Sequence, residues 1–197
     1  DIIKSTGSKD EAFNFFGLVP GKPVIFVFGG SLGARTINQS IVRSLGDIVS
    51  NDFNLIWQTG TSFYETAISA AKDAGEENIK VHEFIYRMDL AYEIADIIIS
   101  RAGAISISEL CIVGKPVILV PYPHAAGDHQ KKNALSLVDN NAALMVEDHK
   151  AADELINRAL ELLNDKKKMA ELGSNIKKLA LPEATLKIAE EALKLLN

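Results

Sequence analysis

The sequence predicts an α/β fold: a parallel sheet of six strands, with helices on both faces and a helical tail at the C-terminus. Short runs rich in β-branched residues alternate with helical patterns through most of the chain, as they do in repeated βαβ units. The run at Val24–Phe28 is apolar at every position, which is typical of a central parallel strand covered on both faces. After Asp148 the pattern is helical throughout, which predicts the tail.

The individual elements follow in order from these patterns. We expect strands at Val24–Phe28, Asn54–Gln58, Ile79–Phe84, Asp96–Ser100, Val117–Pro121 and Ala143–Val146, with helices in the intervals. Three further helices are predicted at Ala151–Asn164, Lys166–Leu179 and Glu183–Leu196. The predicted organisation is a linker with a short leading helix at 1–22, a sheet domain at 23–165, and C-terminal helices at 166–197. Those helices are expected to pack on the sheet or on a missing N-terminal domain.

Composition points to a globular domain. The chain has 197 residues and 47% hydrophobic content, which is enough to bury a full core. It contains no apolar run of about 18 residues and no basic-then-apolar leader, so neither a membrane span nor a signal peptide is predicted. A net charge of -5 argues against a nucleic-acid partner. The single cysteine, Cys111, lies in an apolar helical segment and is expected to be a buried structural thiol.

A glycine turn follows the first strand directly. Gly29, Gly30 and Gly33 separate that strand from a predicted amphipathic helix. Unpaired N–H groups and the positive end of the dipole at such a helix start favour a phosphate, and glycines let the backbone approach it closely. A tight turn that binds nothing is the alternative for a Gly-Gly pair seen alone. Ligands of open α/β sheets bind at the carboxyl ends of the strands, so the loops after strands three, four and five also matter.

Glu109 stands out after the fourth strand. A loop of small residues leads into a helix that we expect to open at Ala104, which places Glu109 in its second turn beside apolar neighbours. A carboxylate can accept hydrogen bonds from both hydroxyls of a ribose. The alternative is a glutamate on an exposed helix surface.

The loop after the fifth strand has residues suited to sugar recognition. Asp128, Gln130 and Asn133 can exchange hydrogen bonds with sugar hydroxyls, and His129 offers a ring N–H to a phosphate or carbonyl oxygen. His124 and His129 have no third ligand at zinc-like spacing, so no metal site is expected. The alternative for this loop is that Asp128 caps the helix predicted at Gln130–Val138, which is compatible with ligand contact by its neighbours.

Phe84 and Ile85 come at the end of the third strand. A flat base can rest against apolar side chains and exposed backbone at such a position. Large apolar residues with this spacing are more often part of the core, and we expect the core here.

Several motifs taken together resemble one family. They are Phe28–Ala34, Glu83-Phe84-Ile85, Arg101–Ala104 with Ser108-Glu109, Gly114-Lys115-Pro116, and His129-Gln130 with Asn133-Ala134. In this order and spacing they resemble the C-terminal half of the MurG family of peptidoglycan N-acetylglucosaminyltransferases, in glycosyltransferase family 28. The resemblance covers nearly the whole chain.

The resemblance implies a GT-B fold, in which two Rossmann-like domains face a cleft, with this chain as the domain that binds UDP-N-acetylglucosamine (UDP-GlcNAc). In the family pattern, Gly30, Ser31 and Gly33 cradle the diphosphate, Glu109 binds the ribose hydroxyls, and Ile85 meets uracil through its backbone. Ala104, Ile105, Gln130 and Asn133 lie near the diphosphate and the sugar, and His129 holds the position before the glutamine. Such enzymes need no metal or other cofactor, because helix N-termini stabilise the departing UDP. No catalytic residue is expected in this chain.

The implied reaction is the inverting transfer of GlcNAc to lipid-linked MurNAc-pentapeptide. The acceptor site, the general base and any membrane contact would belong to a missing N-terminal domain, and the chain begins without a methionine, so we expect part of a longer enzyme. The expected location is the cytoplasm, or the cytoplasmic face of the plasma membrane for the whole protein. The alternatives are a free-standing binding subunit of a split glycosyltransferase, a glycolipid galactosyltransferase and a UDP-GlcNAc epimerase.

Overall fold

Six parallel strands form one sheet in the computed structural model, which describes residues 7–30 and 33–182. The strands are β1 (Val24–Phe28), β2 (Asn54–Gln58), β3 (Ile79–His82), β4 (Ile97–Ser100), β5 (Val117–Leu119) and β6 (Leu144–Met145). They lie in the order β3-β2-β1-β4-β5-β6, and every neighbouring pair is parallel. The predicted α/β fold with a six-stranded parallel sheet is therefore confirmed.

The later strands are shorter than the sequence pattern predicts. The amide of Val120 still donates to the carbonyl of Ser100 at 2.9 Å, but Pro121 has no N–H with which to continue the ladder. Arg101 also binds the carbonyls of Val120 and Pro121, which ends β5. In the loop after β3, the amide of Ile85 donates to the side chain of Gln58 instead of to a neighbouring strand.

Nine α-helices are present in the described part of the chain. They are α1 (Lys9–Phe16), α2 (Arg35–Arg43), α3 (Leu45–Ser50), α4 (Tyr64–Ala74), α5 (Met88–Ile94), α6 (Ala104–Val113), α7 (His129–Asp139), α8 (Ala151–Asn164) and α9 (Lys166–Lys178). Short 3₁₀ turns stand at Thr61–Phe63, Glu76–Asn78, Ala126–Asp128 and Asp148–Lys150. The helix predicted to open at Ala104 is confirmed.

Two buried clusters cover the two faces of the sheet. Ile25 and Val27 of β1 pack in one cluster with residues of α2, α3, α4 and α8. Phe26 and Phe28 of the same strand pack in the other cluster with residues of α1, α5, α6 and α7. Because side chains alternate along a strand, the fully apolar β1 has core neighbours on both sides. Cys111 is buried in the second cluster, as expected.

The last described helix, α9, closes the fold beside α6 and α8. It contributes Leu172 to the first buried cluster and Ile176 to the second. Gly173 lies so close to the carbonyl of Gly114 that an added Cβ would be 3.0 Å from that oxygen. The helix predicted at Glu183–Leu196 lies outside the described residues, and the domain boundaries stay predictions.

Candidate functional site

A cavity of about 870 Å³ opens at the carboxyl ends of β1, β4 and β5. The chain leaves β1 and β4 in opposite directions along the sheet, so this is the point where the strand order reverses. Ligands of open α/β sheets bind at such a point. The lining residues that the structure describes are Gly29, Gly30, Gly33, Ala34, Arg35, Thr36, Arg101, Gly103, Ser106, Tyr122, Pro123, His124, Gln130 and Asp148.

Gly30 and Gly33, in the turn after β1, are glycines for different structural reasons. Gly30 has φ +85°, and no atom of the described residues lies within 4 Å of a Cβ placed there, so it leaves open space beside the cavity. Gly33 has φ +78°, and a Cβ there would collide with the carbonyl of Thr59. Both positive φ values favour glycine. Ser31, which the sequence also predicts for this site, lies outside the described residues.

Two helices begin at the edge of the cavity. The first turn of α2 follows Ala34 and that of α6 follows Gly103, and both of these residues line the cavity. Within the described part of the chain, neither helix has a side-chain cap or an acidic residue in its first turn. Their N–H groups therefore remain available to an anion, and both dipoles favour negative charge.

An ion pair between Arg101 and Asp148 forms part of the cavity wall. The two side chains are 11% and 15% exposed, so the pair is largely withdrawn from water. Arg101 also donates to the carbonyl of Val120 at 3.0 Å, and the hydroxyl of Thr36 donates to Asp148 at 3.0 Å. These bonds join the loops after β4, β5 and β6 to the first turn of α2. The two charges compensate each other, so the pair fixes the wall without adding net charge to the cavity.

Sequence reasoning missed this ion pair. Arg101 belongs to a motif of the resemblance but was assigned no role, and Asp148 lies 47 positions further along the chain. The available signal is a charged residue directly after a buried strand, a position where an unpaired charge would be costly.

The side chains predicted to contact the sugar each make one polar contact within the protein. Gln130 Oε1 accepts a hydrogen bond from the amide of Tyr122 at 3.0 Å, which leaves its NH₂ group for a ligand. Asn133 Nδ2 donates to the carbonyl of Ala102 at 3.1 Å, just before α6. His129 is exposed, and its Nδ1 lies 2.7 Å from the carbonyl of Ala126.

The alternative in which the side chain of Asp128 caps α7 is wrong. Its side chain makes no cap hydrogen bond to the helix among the described residues, and its backbone is left-handed, with φ +56°. A capping side chain usually projects from an extended residue, and this geometry turns the carboxylate away from that arrangement.

Glu109 is half-buried in the second turn of α6. Its Oε2 accepts a hydrogen bond from the hydroxyl of Tyr92 at 3.3 Å. Tyr92 is buried and packs edge-on against Phe26 and Phe28. The alternative of a freely solvated surface glutamate is therefore wrong, because the carboxylate has a fixed buried partner.

Two adjacent residues in the loop after β3, Phe84 and Ile85, differ in burial. The side chain of Ile85 is 3% exposed and belongs to the core, as expected. The core prediction is wrong for Phe84, which is 43% exposed and contacts Tyr86, a residue exposed by 86%. Phe84 points outward because β3 ends at His82, so the alternation of buried and exposed side chains along a strand no longer applies to it.

Six of the predicted site residues lie at or beside the cavity. Gly30, Gly33 and Gln130 line the cavity, while Ala104 and Ile105 open α6 beside it. Asn133 joins the cavity region through its bond to Ala102. The other three, Ile85, Glu109 and His129, are not among the residues lining this cavity.

Residues 7–30 and 33–182 contain neither a candidate metal site nor a candidate membrane span. They contain no group of three or more His, Cys, Asp or Glu side chains placed to hold a metal ion. No helix among them is long and apolar enough to cross a membrane.

Comparison with protein families gives a match over most of the chain. Residues 24–188 match the glycosyltransferase family 28 C-terminal domain. The chain is 48% identical to the UDP-N-acetylglucosamine--N-acetylmuramyl-(pentapeptide) pyrophosphoryl-undecaprenol N-acetylglucosamine transferase of Cytophaga hutchinsonii, over 100% of this chain and 52% of that protein. The enzyme of the same name from Parabacteroides distasonis is 46% identical, over 100% of this chain and 54% of that protein. The chain thus spans about half the length of the curated relatives it matches.

Solved structures share the fold. The crystal structure of MurG from Acinetobacter baumannii superposes with a TM-score of 0.80 at 28% identity, covering 98% of this chain and 55% of that one. UDP-GlcNAc 2-epimerase from Neisseria meningitidis, bound to UDP-GlcNAc, superposes with a TM-score of 0.62 at 16% identity, covering 94% and 47% of the two chains. The second likeness shows the fold alone. The first confirms the predicted half of a GT-B glycosyltransferase, and with the family match it establishes that this chain belongs to glycosyltransferase family 28.

Proposed function

We propose that this chain is the UDP-GlcNAc-binding domain of an inverting glycosyltransferase that transfers GlcNAc to lipid-linked MurNAc-pentapeptide in peptidoglycan synthesis. The observation that carries the proposal is the cavity where the strand order reverses, bordered by a glycine turn and two uncapped helix starts. The named activity of the relatives at 48% and 46% identity supports the choice of sugar nucleotide and acceptor.

The diphosphate is assigned to the glycine turn and the two helix starts. Gly30 leaves room for close approach, Gly33 lets the turn pack against the carbonyl of Thr59, and the N–H groups of α2 and α6 supply donors. Arg35 is exposed at the cavity and can add a positive charge, whereas Arg101 is already paired with Asp148. Donors aimed at the diphosphate would stabilise the charge that develops on UDP as it leaves, so the proposal includes no metal or other cofactor.

The ribose is assigned to Glu109 and the base to the backbone of Ile85. The hydroxyl of Tyr92 holds Oε2 of Glu109, which leaves Oε1 to accept from a ribose hydroxyl. The amide of Ile85 already donates to Gln58 at 2.9 Å, so the carbonyl of Ile85 is the backbone group left for an imide N–H of uracil. Phe84 is exposed beside that carbonyl and can cover one side of the base.

The sugar is assigned to the first turns of α6 and α7. The NH₂ group of Gln130 and the side-chain oxygen of Asn133 can bind hydroxyl or acetamido groups. Ala104 and Ile105 bound this region from α6, with Ile105 exposed by 78%, and His129 lies at the start of α7. No residue of this chain is assigned a catalytic role.

The acceptor and the membrane belong to the part of the protein outside this chain in our proposal. The chain covers 52% of the Cytophaga hutchinsonii relative, whose name specifies a pyrophosphoryl-undecaprenol acceptor. A lipid of that kind would be met at the cytoplasmic face of the plasma membrane by the whole protein. The domain boundaries at 23–165 and 166–197 are part of the same proposal.

The alternative functions have less support. The epimerase likeness, at 16% identity, extends only to the fold. No specific observation favours a split transferase subunit or a galactosyltransferase, whereas the two relatives reported above carry the GlcNAc transferase name.

Calorimetric titration of the chain with UDP-GlcNAc, UDP-galactose and ADP-glucose, without added metal, tests the proposal. We expect UDP-GlcNAc to bind most tightly. Gln130→Ala should weaken the binding of UDP-GlcNAc and leave that of UDP unchanged, because the glutamine is assigned to the sugar. Asn140→Ala is the matched control, since Asn140 is an exposed amide at the far end of α7 whose Nδ2 donates to the carbonyl of Ser136 in the preceding turn. A folded chain that binds none of the three nucleotides, or prefers UDP-galactose, would contradict the proposal.

A further inference from the structure

Gln58 connects two loops that lie on either side of its own strand. It is the last residue of β2 and is 3% exposed. Its Nε2 donates to the carbonyl of Gly30 at 3.2 Å, and its Oε1 accepts from the amide of Ile85 at 2.9 Å. Gly30 follows β1 and Ile85 follows β3, so one side chain spans the sheet from the turn on one side to the loop on the other.

The hydrogen bonds fix both the orientation of this amide and the geometry of the turn. The amide of Ile85 requires an acceptor and the carbonyl of Gly30 requires a donor, so a flipped Gln58 would lose both bonds. The carbonyl of Gly30 also accepts from the amide of Gly33 at 3.1 Å. Gln58 therefore binds the same oxygen that closes the glycine turn.

The end of β2 is itself held in place by buried polar contacts. Asn38 Nδ2 donates to the carbonyl of Thr59 at 2.8 Å, and Asn38 Oδ1 accepts from the indole N–H of Trp57 at 2.9 Å. All three of these residues are buried. Gln58 thus projects from a backbone that is fixed on both sides, and its bonds transmit that position to the two loops.

We propose that Gln58 is a positioning residue that sets the spacing between the phosphate-binding turn at Gly30 and the base-binding loop at Ile85. The inference rests on the proposed function, because it assigns those loops to the two ends of one nucleoside diphosphate. Gln58 contacts neither end of the ligand. It favours ligands that carry base and diphosphate together, since only these use both loops at their fixed separation.

Replacement of Gln58 by leucine tests the inference with UDP as the probe. Gln58→Leu removes both bonds and should lower UDP affinity about tenfold, a change on the scale of one or two hydrogen bonds. Asn54→Leu is the matched control, because Asn54 is a fully buried amide at the other end of β2 whose Nδ2 donates to the carbonyl of Val19 at 3.0 Å. That variant should lower the melting temperature and change UDP affinity less than twofold.

A second variant separates the donor function from general stability. At neutral pH, the carboxylate of Gln58→Glu can accept from Ile85 but repels the carbonyl of Gly30, so UDP should bind weakly. Burial favours the protonated acid, which can donate to Gly30, so affinity relative to the original chain at the same pH should recover on acidification. This variant also decides the matter if Gln58→Leu does not fold.

The outcomes separate the two proposals. If the unaltered chain does not bind UDP, the proposed function and this inference both fall. If it binds UDP and either Gln58→Leu binds equally well or Gln58→Glu binds weakly at neutral pH without recovery at acidic pH, only the inference is overturned. An equal loss of affinity in Asn54→Leu and Gln58→Leu would also overturn it, because that is the signature of a purely structural role.

Discussion

The hydroxyl of Tyr92 donates a hydrogen bond to the carboxylate of Glu109, with 3.3 Å between the two oxygens. Burial, together with the nearby Glu109 charge, raises the pKa of Tyr92 far above its usual value, so the phenol keeps its proton and remains a donor. Because the tyrosine ring packs on Phe26 and Phe28 of β1, the carboxylate is oriented by the core of the sheet.

Glu109→Ala should weaken UDP binding by about 1–3 kcal/mol, because the ribose loses charge-assisted hydrogen bonds. Titration of UDP into the folded variant measures this loss. Glu93→Ala is a suitable control, since Glu93 is a partly exposed carboxylate of α5 to which no group of the ligand is assigned. Unchanged affinity in a folded Glu109→Ala variant would remove Glu109 from the site.

Tyr92→Phe should also weaken UDP binding, but the loss of affinity should be several-fold smaller than in Glu109→Ala. The carboxylate remains in this variant and loses only its fixed orientation. In the Glu109→Ala background the same change should have no further effect on affinity, since its target is gone. A double-mutant cycle on the free energy of binding checks this. Additive losses would show that Tyr92 acts on the site by another route.

Gly30→Ala and Gly33→Ala should differ in their effects on stability. Both force alanine into a positive φ, which costs about 1 kcal/mol. Only Gly33→Ala also drives a Cβ into the carbonyl of Thr59, so its free energy of unfolding should fall clearly further. Urea unfolding of the two variants provides the comparison. Equal destabilisation would mean that the turn relaxes away from β2.

His82 should make stability depend on pH. Burial, reinforced by the charge of Lys80, lowers the pKa of His82 below its ordinary value of 6.5, and Nε2 finds no hydrogen-bond partner among the described residues. Below pH 6.5 the unfolded chain therefore takes up a proton that the folded chain resists, so the free energy of unfolding falls until the folded pKa is reached.

Urea unfolding across this pH range should show the fall in the original chain and a smaller one in His82→Leu. The other three histidines, His124, His129 and His149, are exposed and do not share the burial of His82. An identical pH dependence in both proteins would show that His82 is not the responsible group.

The sequence patterns predict the sheet well because burial on both faces of a parallel strand leaves a continuous apolar run, as in β1. The helix start at Ala104 is also predicted, because a loop of small residues follows the fourth strand and leads into the apolar helical segment that contains Glu109. Gln58, Tyr92 and the Arg101–Asp148 pair were not predicted as functional, because their roles depend on bonds between residues 17 to 47 positions apart. The side-chain cap by Asp128 is absent because it requires a backbone conformation that the local sequence does not specify.

The most direct test of the central claim is amide chemical-shift mapping of the ¹⁵N-labelled chain during titration with UDP-GlcNAc. We expect the amide signals of Gly30, Gly33 and Gly103 to shift together with that of Ile85 until the ligand saturates. Gly75 and Gly114 serve as internal controls, because they end α4 and α6 away from the cavity, and they should stay unchanged. Saturable shifts that leave the first three glycines unmoved would place the ligand elsewhere and contradict the account.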